Sequence, residues 1–365
     1  MITQEIAREW ARLVQFRVDV YVTFQRRADA VFELIDALAA DTQARSPVEL
    51  SLSPFSRRQY ASIYDGLDAW VYDASALDKV LLDMLPPREA GGFCLWAVDE
   101  TPRRRQYALT VADRAYVHYP NPVGNNRPIT IGHNYGALVH IDLEGPSTWA
   151  PAWALERTPD WTGVDLALEQ IVRLVRCDDG WHILVSESRG LSLKELRAAY
   201  LRRPVIEHFN RFIKQRLLFD VAQMGSVEQD QRWAEVVKLA YWQLYASRNV
   251  VECDVRPWER YKPRPPADQP ATPSQTRRGF GRLLPDLGTP ARAPQLRGKS
   301  PGRAKGYRSR PRERFSSSAV KGMCQFPGVR RDGVPLEGCV VSEGQHWAIS
   351  KVLGVSSLSF NLYGL

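Results

Sequence analysis

The 365-residue chain contains no run of about 18 apolar residues, so no segment of it is predicted to cross a membrane. Its opening stretch, MITQEIAREW, lacks the apolar core of a signal peptide. The five cysteines are widely scattered and form no CxxC pair, which argues against a zinc site and a disulfide framework. No P-loop, GxSxG or GxGxxG motif occurs in a suitable context. These absences predict a protein of the reducing cytoplasm.

Positive charge is concentrated in one part of the chain. Residues 256–314 hold 16 of the 49 basic residues and only 4 of the 41 acidic ones, so the remainder has 33 basic and 37 acidic residues. The same segment holds 11 of the 25 prolines, which predicts a disordered segment rather than a compact core. Arginine and lysine among glycine, proline and isolated aromatics suit contact with a nucleic-acid backbone. A solubilising tail is the alternative.

The most informative stretch is YLRRPVIEHFNRFIK, residues 200–214. At about 100° per residue of a helix, four of its polar residues fall within a stripe of roughly 60°. They are Tyr200, Arg203, Glu207 and Lys214, and Arg211 joins them; apolar side chains occupy the opposite face. A capping box at Ser192–Glu195 would begin this helix, and Pro204 is expected to kink it. A solvated charged face is the alternative to a site, because every amphipathic helix has one.

Short apolar runs predict strands in the middle of the chain. Residues 93–99 form a buried strand that ends in Asp99, and residues 115–119, 128–142 and 180–186 predict three more. Residues 162–175 have a helical pattern, and residues 233–250 predict a further amphipathic helix. Arg103, Arg104 and Arg105 are interpreted as a solvated turn, with contact to phosphate as the alternative.

The spacing Y-(2)-R-(3)-E-(6)-K, together with the surrounding LSLKELRAAY and IEHFNRFIKQRLLFD, resembles the signature of bacterial insertion-sequence transposases of the DDE class. The run LWAVDETPRRR also resembles the first-aspartate region of that family. The resemblance implies an α/β fold with an RNase H-like core, a helical N-terminal region at 1–85, the core at 86–255, a basic DNA-contacting segment at 256–314 and an atypical tail at 315–365.

The same resemblance implies a chemistry. Asp99 and Glu207 would be catalytic ligands of Mg²⁺ or Mn²⁺, because these cations prefer hard oxygen ligands. Tyr200, Arg203, Arg211 and Lys214 would contact DNA. The expected partners are double-stranded DNA, namely transposon terminal repeats and target, and a second copy of the chain on that DNA. The expected location is the cytoplasm, on the nucleoid.

The second aspartate of the family is missing from its expected place. Asp160 and Asp165 flank a helix start, and Asp178 and Asp179 read as a hairpin turn, so none ends a buried strand. The simplest account is the loss of a segment near residue 175. The leading hypothesis is therefore a transposase impaired by that loss, and the alternative is a catalytically inactive DNA-binding remnant. A basic structural protein without a DNA role is the third.

Overall fold

The structure is a computed structural model that describes residues 4–86, 95–119, 129–142, 148–158, 171–177, 180–186, 201–253, 256–261, 270–295, 302–309 and 311–317. The helices are α1 (Gln4–Val22), α2 (Ala28–Ala40), α3 (Pro47–Leu50), α4 (Tyr60–Ala69), α5 (Ala74–Asp83), α6 (Pro204–Arg216), α7 (Val227–Ser247) and α8 (Pro273–Leu287), with a 3-10 turn at Pro257–Glu259. The strands are β1 (Phe24–Arg26), β2 (Val71–Tyr72), β3 (Leu95–Arg104), β4 (Ala115–His118), β5 (Ile129–Ile141), β6 (Ala152–Thr158), β7 (Ile171–Cys177) and β8 (Gly180–Ser186).

The main sheet is antiparallel and is organised around β5. β3 pairs along one side of β5, from Leu95 opposite Ile141 to Arg104 opposite Gly132. β4 pairs with the first residues of β5 and β6 with its middle, both on the side away from β3. Helices combined with antiparallel sheets confirm the α/β class. Among the described strands, only β5 pairs with β3.

Two long helices form the centre of the molecule. α7 begins at the N-cap Ser226, whose side chain accepts a hydrogen bond from the backbone N–H of Gln229, and it is buried along most of its length. α2 packs against α7, and its last ten residues are all buried. The buried ion pair between Arg17 of α1 and Asp36 of α2 joins Gln243 of α7, so three helices share one polar contact inside an apolar core.

The N-terminal helices and the sheet share this core. One continuous apolar cluster contains Leu38 of α2, Val139 of β5, Phe209 of α6 and Phe280 of α8. The predicted boundary near residue 85 therefore marks a change in sequence pattern, and buried side chains from before and after this boundary pack in the same core.

The prediction of disorder for the basic segment is wrong for residues 273–287. These residues form α8, which begins with a capping box between Thr272 and Gln275 and packs against α2 and α7. Its glycines permit close packing: a β-carbon on Gly279 would collide with Val251 and with the carbonyl of Glu252. Proline at the first helical position is also favourable, so the composition that indicated disorder builds a packed helix.

Two other predictions need correction. Residues 171–175, predicted as part of a helix, belong to strand β7, which pairs antiparallel with the correctly predicted β8. β-Branched residues at this site fill a strand as readily as a helix, so periodicity did not discriminate. Pro204 does not kink a helix but begins α6 after a turn at residues 201–203. Residues 162–170, 192–195 and 318–365 lie outside the described part. Among the described residues, no helix combines the length and apolar character of a membrane span.

Candidate catalytic site between β3 and α6

Asp99 lies in the middle of β3, opposite Ala137 of β5. The prediction that it ends the strand is wrong, because the strand continues for five residues to Arg104. Side chains alternate along a strand, so Asp99 shares a face with Thr101 and Arg103, which are fully buried. Asp99 therefore stands on the covered face of the sheet, and its neighbour Glu100 points to the other face.

Helix α6 covers this face and is held there by two polar contacts. Asn210 donates a hydrogen bond from Nδ2 to Oδ2 of Asp99 over 2.8 Å. Lys214, one turn further along the helix, donates from Nζ to the carbonyl oxygen of Pro102, also over 2.8 Å. The opposite side of α6 buries Val205, Ile206, Phe209, Phe212 and Ile213, as the helical pattern predicted. The helix is thus fixed on both sides, which determines the direction of its polar stripe.

Glu207 lies in the first turn of α6 with its side chain exposed. It is close enough to act on Asp99 electrostatically. Burial raises the pKa of Asp99 to about 6 and the negative charge of Glu207 adds to the rise, while the backbone N–H of Glu100, the Arg203 guanidinium and the Asn210 hydrogen bond oppose it. The structure therefore gathers Asp99, Arg203 and Glu207 within one electrostatic environment.

Lys214 belongs to a second polar group beside the first. Its ammonium lies 5.9 Å from the centre of the Tyr119 ring, and Arg104 lies 4.6 Å from the same ring. Burial lowers the pKa of Lys214, and the charges of Asp220 and Asp99 oppose that effect. Lys214 thus packs against β3 rather than extending into solvent, whereas Arg211 is exposed.

The sequence pattern missed one residue of this site. Asn210 is three residues after Glu207 and four before Lys214, which is the spacing of neighbours on one helix face. That spacing was the available signal. It places Asn210 beside Glu207 and Lys214, but it does not indicate that Asn210 bonds to a residue on a distant strand. The structure makes it the direct contact between α6 and Asp99.

Several predicted candidates lie outside the described residues. These are Tyr200 and the four weak candidates for a second aspartate, Asp160, Asp165, Asp178 and Asp179. Within the described ranges, no group of three or more His, Cys, Asp or Glu side chains is arranged to hold a metal ion. At this site, the structure places Glu207 within electrostatic reach of Asp99.

The interpretation of Arg103–Arg105 as a solvated turn is wrong. Arg103 and Arg105 are fully buried, and both form ion pairs with Asp230 in the first turn of α7. Both also donate to the carbonyl oxygen of Ala222, in the loop that follows α6. A buried arginine requires such partners, and these lie more than a hundred residues away in the sequence. The cluster joins β3, the loop after α6 and α7.

Asp230 is saturated with donors. Tyr135 donates from its hydroxyl to Oδ2 over 3.0 Å, and the His133 ring lies 3.6 Å from the same oxygen. Burial opposes ionisation, but Arg103, His133 and Arg105 outweigh it and hold the pKa of Asp230 well below its usual range. Its lone pairs are occupied by protein groups, so Asp230 is a structural carboxylate and not a free ligand.

Part of the chain matches the model of a known protein family. Residues 19–176 match the family model described as DDE superfamily endonuclease. The matched range includes Asp99 and the strands from β1 to β6 and most of β7, and it ends before α6 and Glu207. No curated protein and no solved structure matches the chain significantly. The match covers 158 of the 365 residues, so this part of the chain is similar to DDE superfamily endonucleases.

Proposed function

We propose that the chain is a DNA transposase of the insertion-sequence type, which cuts and rejoins phosphodiester bonds at transposon ends. Asp99 and Glu207 would bind the divalent cations, Mg²⁺ or Mn²⁺. One observation carries the proposal: a half-buried aspartate in the segment that matches the DDE family lies within electrostatic reach of the glutamate of the Y-(2)-R-(3)-E-(6)-K spacing, on the helix that contacts its strand.

The chemistry of this pair fits a hard divalent cation. Two carboxylates near one another raise the pKa of the more buried one, and a bound cation removes that unfavourable charge. Asn210 occupies Oδ2 of Asp99 and fixes the carboxylate plane, as ligands of metal sites commonly require. Divalent cations held there would supply charge that stabilises the attacking and leaving oxygens of a phosphodiester displacement.

The cations of the stripe suit contact with DNA. Arg203, at the start of α6, acts on Asp99 through its charge, and Arg211 is exposed one turn after Glu207 on the same helix. Guanidinium groups pair with phosphate oxygens in a fork geometry, which would orient a strand over the site. Tyr200 would extend this surface. Lys214 would hold α6 on β3 and add positive charge to this surface. A second copy of the chain would bind alongside the first, so that the two copies hold the paired transposon ends.

The sheet supports an RNase H-like core. β3, β5 and β6 are antiparallel neighbours, and the helix with Glu207 covers the strand with Asp99. The family match ends at residue 176, next to the point where the sequence resemblance is interrupted. We infer that a segment which carried the second aspartate has been lost there, which would leave the enzyme impaired.

The decisive experiment is a cleavage assay on DNA that carries the terminal repeats flanking the gene, with Mn²⁺ or Mg²⁺. Cleavage at the ends that is lost in Asp99→Asn and in Glu207→Gln, but retained in Glu100→Gln, supports the transposase. If cleavage is also lost on changing Asp160, Asp165, Asp178 or Asp179 to Ala, the second acid is present and the deletion is wrong. Specific binding to the repeats without cleavage by the unaltered chain supports the inactive DNA-binding remnant.

A further inference from the structure

A cluster of arginines lies on the side of α6 that faces away from Asp99 and Glu207. A cavity of about 510 Å³ opens between the end of α6, the start of α8 and the residues that follow α2. Its lining includes four arginines, which come from three separate parts of the chain: Arg216, Arg256, Arg277 and Arg278. Such a concentration of like charge is unfavourable unless a counter-charge is present.

Arg277 is the buried member of this group, with 6% of its surface exposed. One of its terminal nitrogens donates to the backbone carbonyl of Asp41, but Nε has no hydrogen-bond partner within the described structure. Burial lowers the pKa of Arg277 to about 10, and the charge of Arg216 contributes to the decrease while Asp41 opposes it. A buried donor without an acceptor is costly, so this wall of the cavity favours a ligand that accepts hydrogen bonds.

The neighbouring acids supply only part of the counter-charge. Glu259 is paired with Arg278 at 3.1 Å. Asp41 accepts hydrogen bonds from the backbone N–H groups of Gln43 and Ala44, so its carboxylate caps a turn. Ser274, in the first turn of α8, also lines the cavity, and a helix N-terminus of this length favours an anion.

We propose that this cavity binds a phosphate group, and that the group belongs to a DNA backbone; the second part rests on the proposed function. Planar guanidinium forks match phosphate oxygens. Beside Arg256 lies the exposed ring of Trp258, with the guanidinium 5.1 Å from its centre, which offers a surface on which a base can stack. The cavity is also large enough for a nucleotide, so a free nucleotide is the other source of the same chemistry.

The site is separate from the carboxylate pair. Arg216 follows Glu207 by nine residues, which places it about 180° around α6 and roughly 13 Å further along its axis. A phosphate held there is therefore remote from the bond that Asp99 and Glu207 would act on, and it would anchor a more distant part of the same DNA.

The test compares two double variants with the same change in charge. Arg216→Gln/Arg256→Gln alters two exposed arginines of the cavity, and Arg8→Gln/Arg26→Gln alters two exposed arginines elsewhere. Fluorescence anisotropy with a labelled DNA duplex is measured from 50 to 300 mM salt. Loss of two phosphate contacts should weaken binding roughly 10- to 60-fold at 0.1 M salt and reduce the slope of log K against log salt by about 2. The control should change neither by a comparable amount.

Arg277→Lys examines the buried contact separately, because it keeps the charge and removes the fork. It should weaken duplex binding in a chain whose thermal unfolding remains cooperative. Calorimetry with inorganic phosphate and with a mononucleotide identifies the source: binding of these alone, reduced by the cavity variant, supports the phosphate site and overturns its DNA occupant. Equal behaviour of cavity and control variants towards all three probes overturns the site. Mn²⁺ binding at Asp99 is measured in parallel, so failure there would concern only the proposed function.

Discussion

Asp99 and Asp230 are two carboxylates that meet the same face of β3, and their surroundings differ in how fully the negative charge is compensated. Asp230 is paired with Arg103 and Arg105 and accepts a hydrogen bond from Tyr135. Among the described residues, Asn210 donates a side-chain hydrogen bond to Asp99, and the positive charge of Arg203 and the negative charge of Glu207 act on Asp99 in opposite directions. The pKa of Asp230 is therefore held low, whereas burial raises the pKa of Asp99 to about 6.

The difference separates a structural carboxylate from the one that we propose as a metal ligand. Pairing makes Asp230 part of the fold, since its charge is neutralised by groups of the chain itself. Burial makes the ionised form of Asp99 unfavourable, and the described residues around it do not fully offset that effect. Such unfavourable charge is typical of functional sites. The pH dependences should have opposite signs: ionised Asp230 stabilises the fold, and ionised Asp99 destabilises it.

The largest effect is expected for Asp230→Asn. Removing this charge leaves Arg103 and Arg105 buried without a counter-ion, so the free energy of unfolding should fall by about 3–5 kcal/mol. Glu228→Gln is the matched control, because Glu228 is exposed in the same first turn of α7 and should cost at most about 1 kcal/mol. Urea unfolding at pH 7 measures both. If both variants lose the same free energy of unfolding, the pairing of Asp230 with Arg103 and Arg105 contributes no more to stability than an acid in the first turn of a helix does.

Asp99→Asn should act in the opposite direction. The folded-state pKa of about 6 lies above the ordinary value of 3.8, so stability due to the protonated form is present below pH 4 and is lost as pH rises through 6. The variant should therefore be more stable than the parent by about 1–3 kcal/mol at pH 8 and equal to it near pH 3. Glu100→Gln, on the other face of the strand, should show no such pH-dependent gain.

Urea unfolding across pH 3–8 provides the measurement. A loss of stability on Asp99→Asn at pH 8 would place Asp99 with Asp230 as a structural residue and would remove the main physical argument for its role.

The third prediction concerns metal. If the pair binds Mn²⁺, a tenfold excess over the dissociation constant should stabilise the folded chain by about 1.4 kcal/mol. Binding should also release protons at pH 6, where Asp99 is about half protonated, and release few at pH 8. Calorimetry in buffers of different ionisation enthalpy measures the release. Asp99→Asn should abolish both effects, and Asp230, already saturated, should contribute to neither. Proton release of the same size at both pH values would count against Asp99 as the ligand.

The sequence predicted the local features of the site and missed the long-range ones. The buried and polar faces of α6 followed from its own spacing, and the strand that carries Asp99 followed from an apolar run. Burial of Arg105 could not be predicted, because its partner Asp230 is 125 residues away. The end of β3 was misplaced for the same reason: arginines that look like the start of a turn are covered by α7.

Helix α8 shows a different reason for failure. Its composition of Gly, Pro and Arg is typical of disorder, yet Pro273 begins the helix and Gly279 and Gly281 lie where a larger side chain would collide with neighbours. Composition averages over a segment, whereas packing depends on which position each glycine occupies. The complete burial of Phe280 was visible only in the structure.

The smallest effect should come from altering the charges around Asp99 without touching it. Glu207→Gln removes a negative charge and should lower the pKa of Asp99, whereas Arg203→Gln removes a positive charge and should raise it. Because both side chains reach solvent, each change should alter the free energy of unfolding by less than about 1 kcal/mol, so a stability measurement is too coarse. The Asp99 carboxyl ¹³C resonance, followed by NMR from pH 3 to 8, reports the pKa directly.

Arg211→Gln, on the exposed side of the same helix, serves as the charge-matched control for Arg203→Gln and should have the weaker effect on the pKa of Asp99. Opposite displacements for Glu207 and Arg203 would establish that both face Asp99 from α6. If both variants shift the pKa of Asp99 in the same direction, or if Glu207→Gln leaves it unchanged, the two carboxylates do not interact. Asp99 would then lack the partner that a metal site requires.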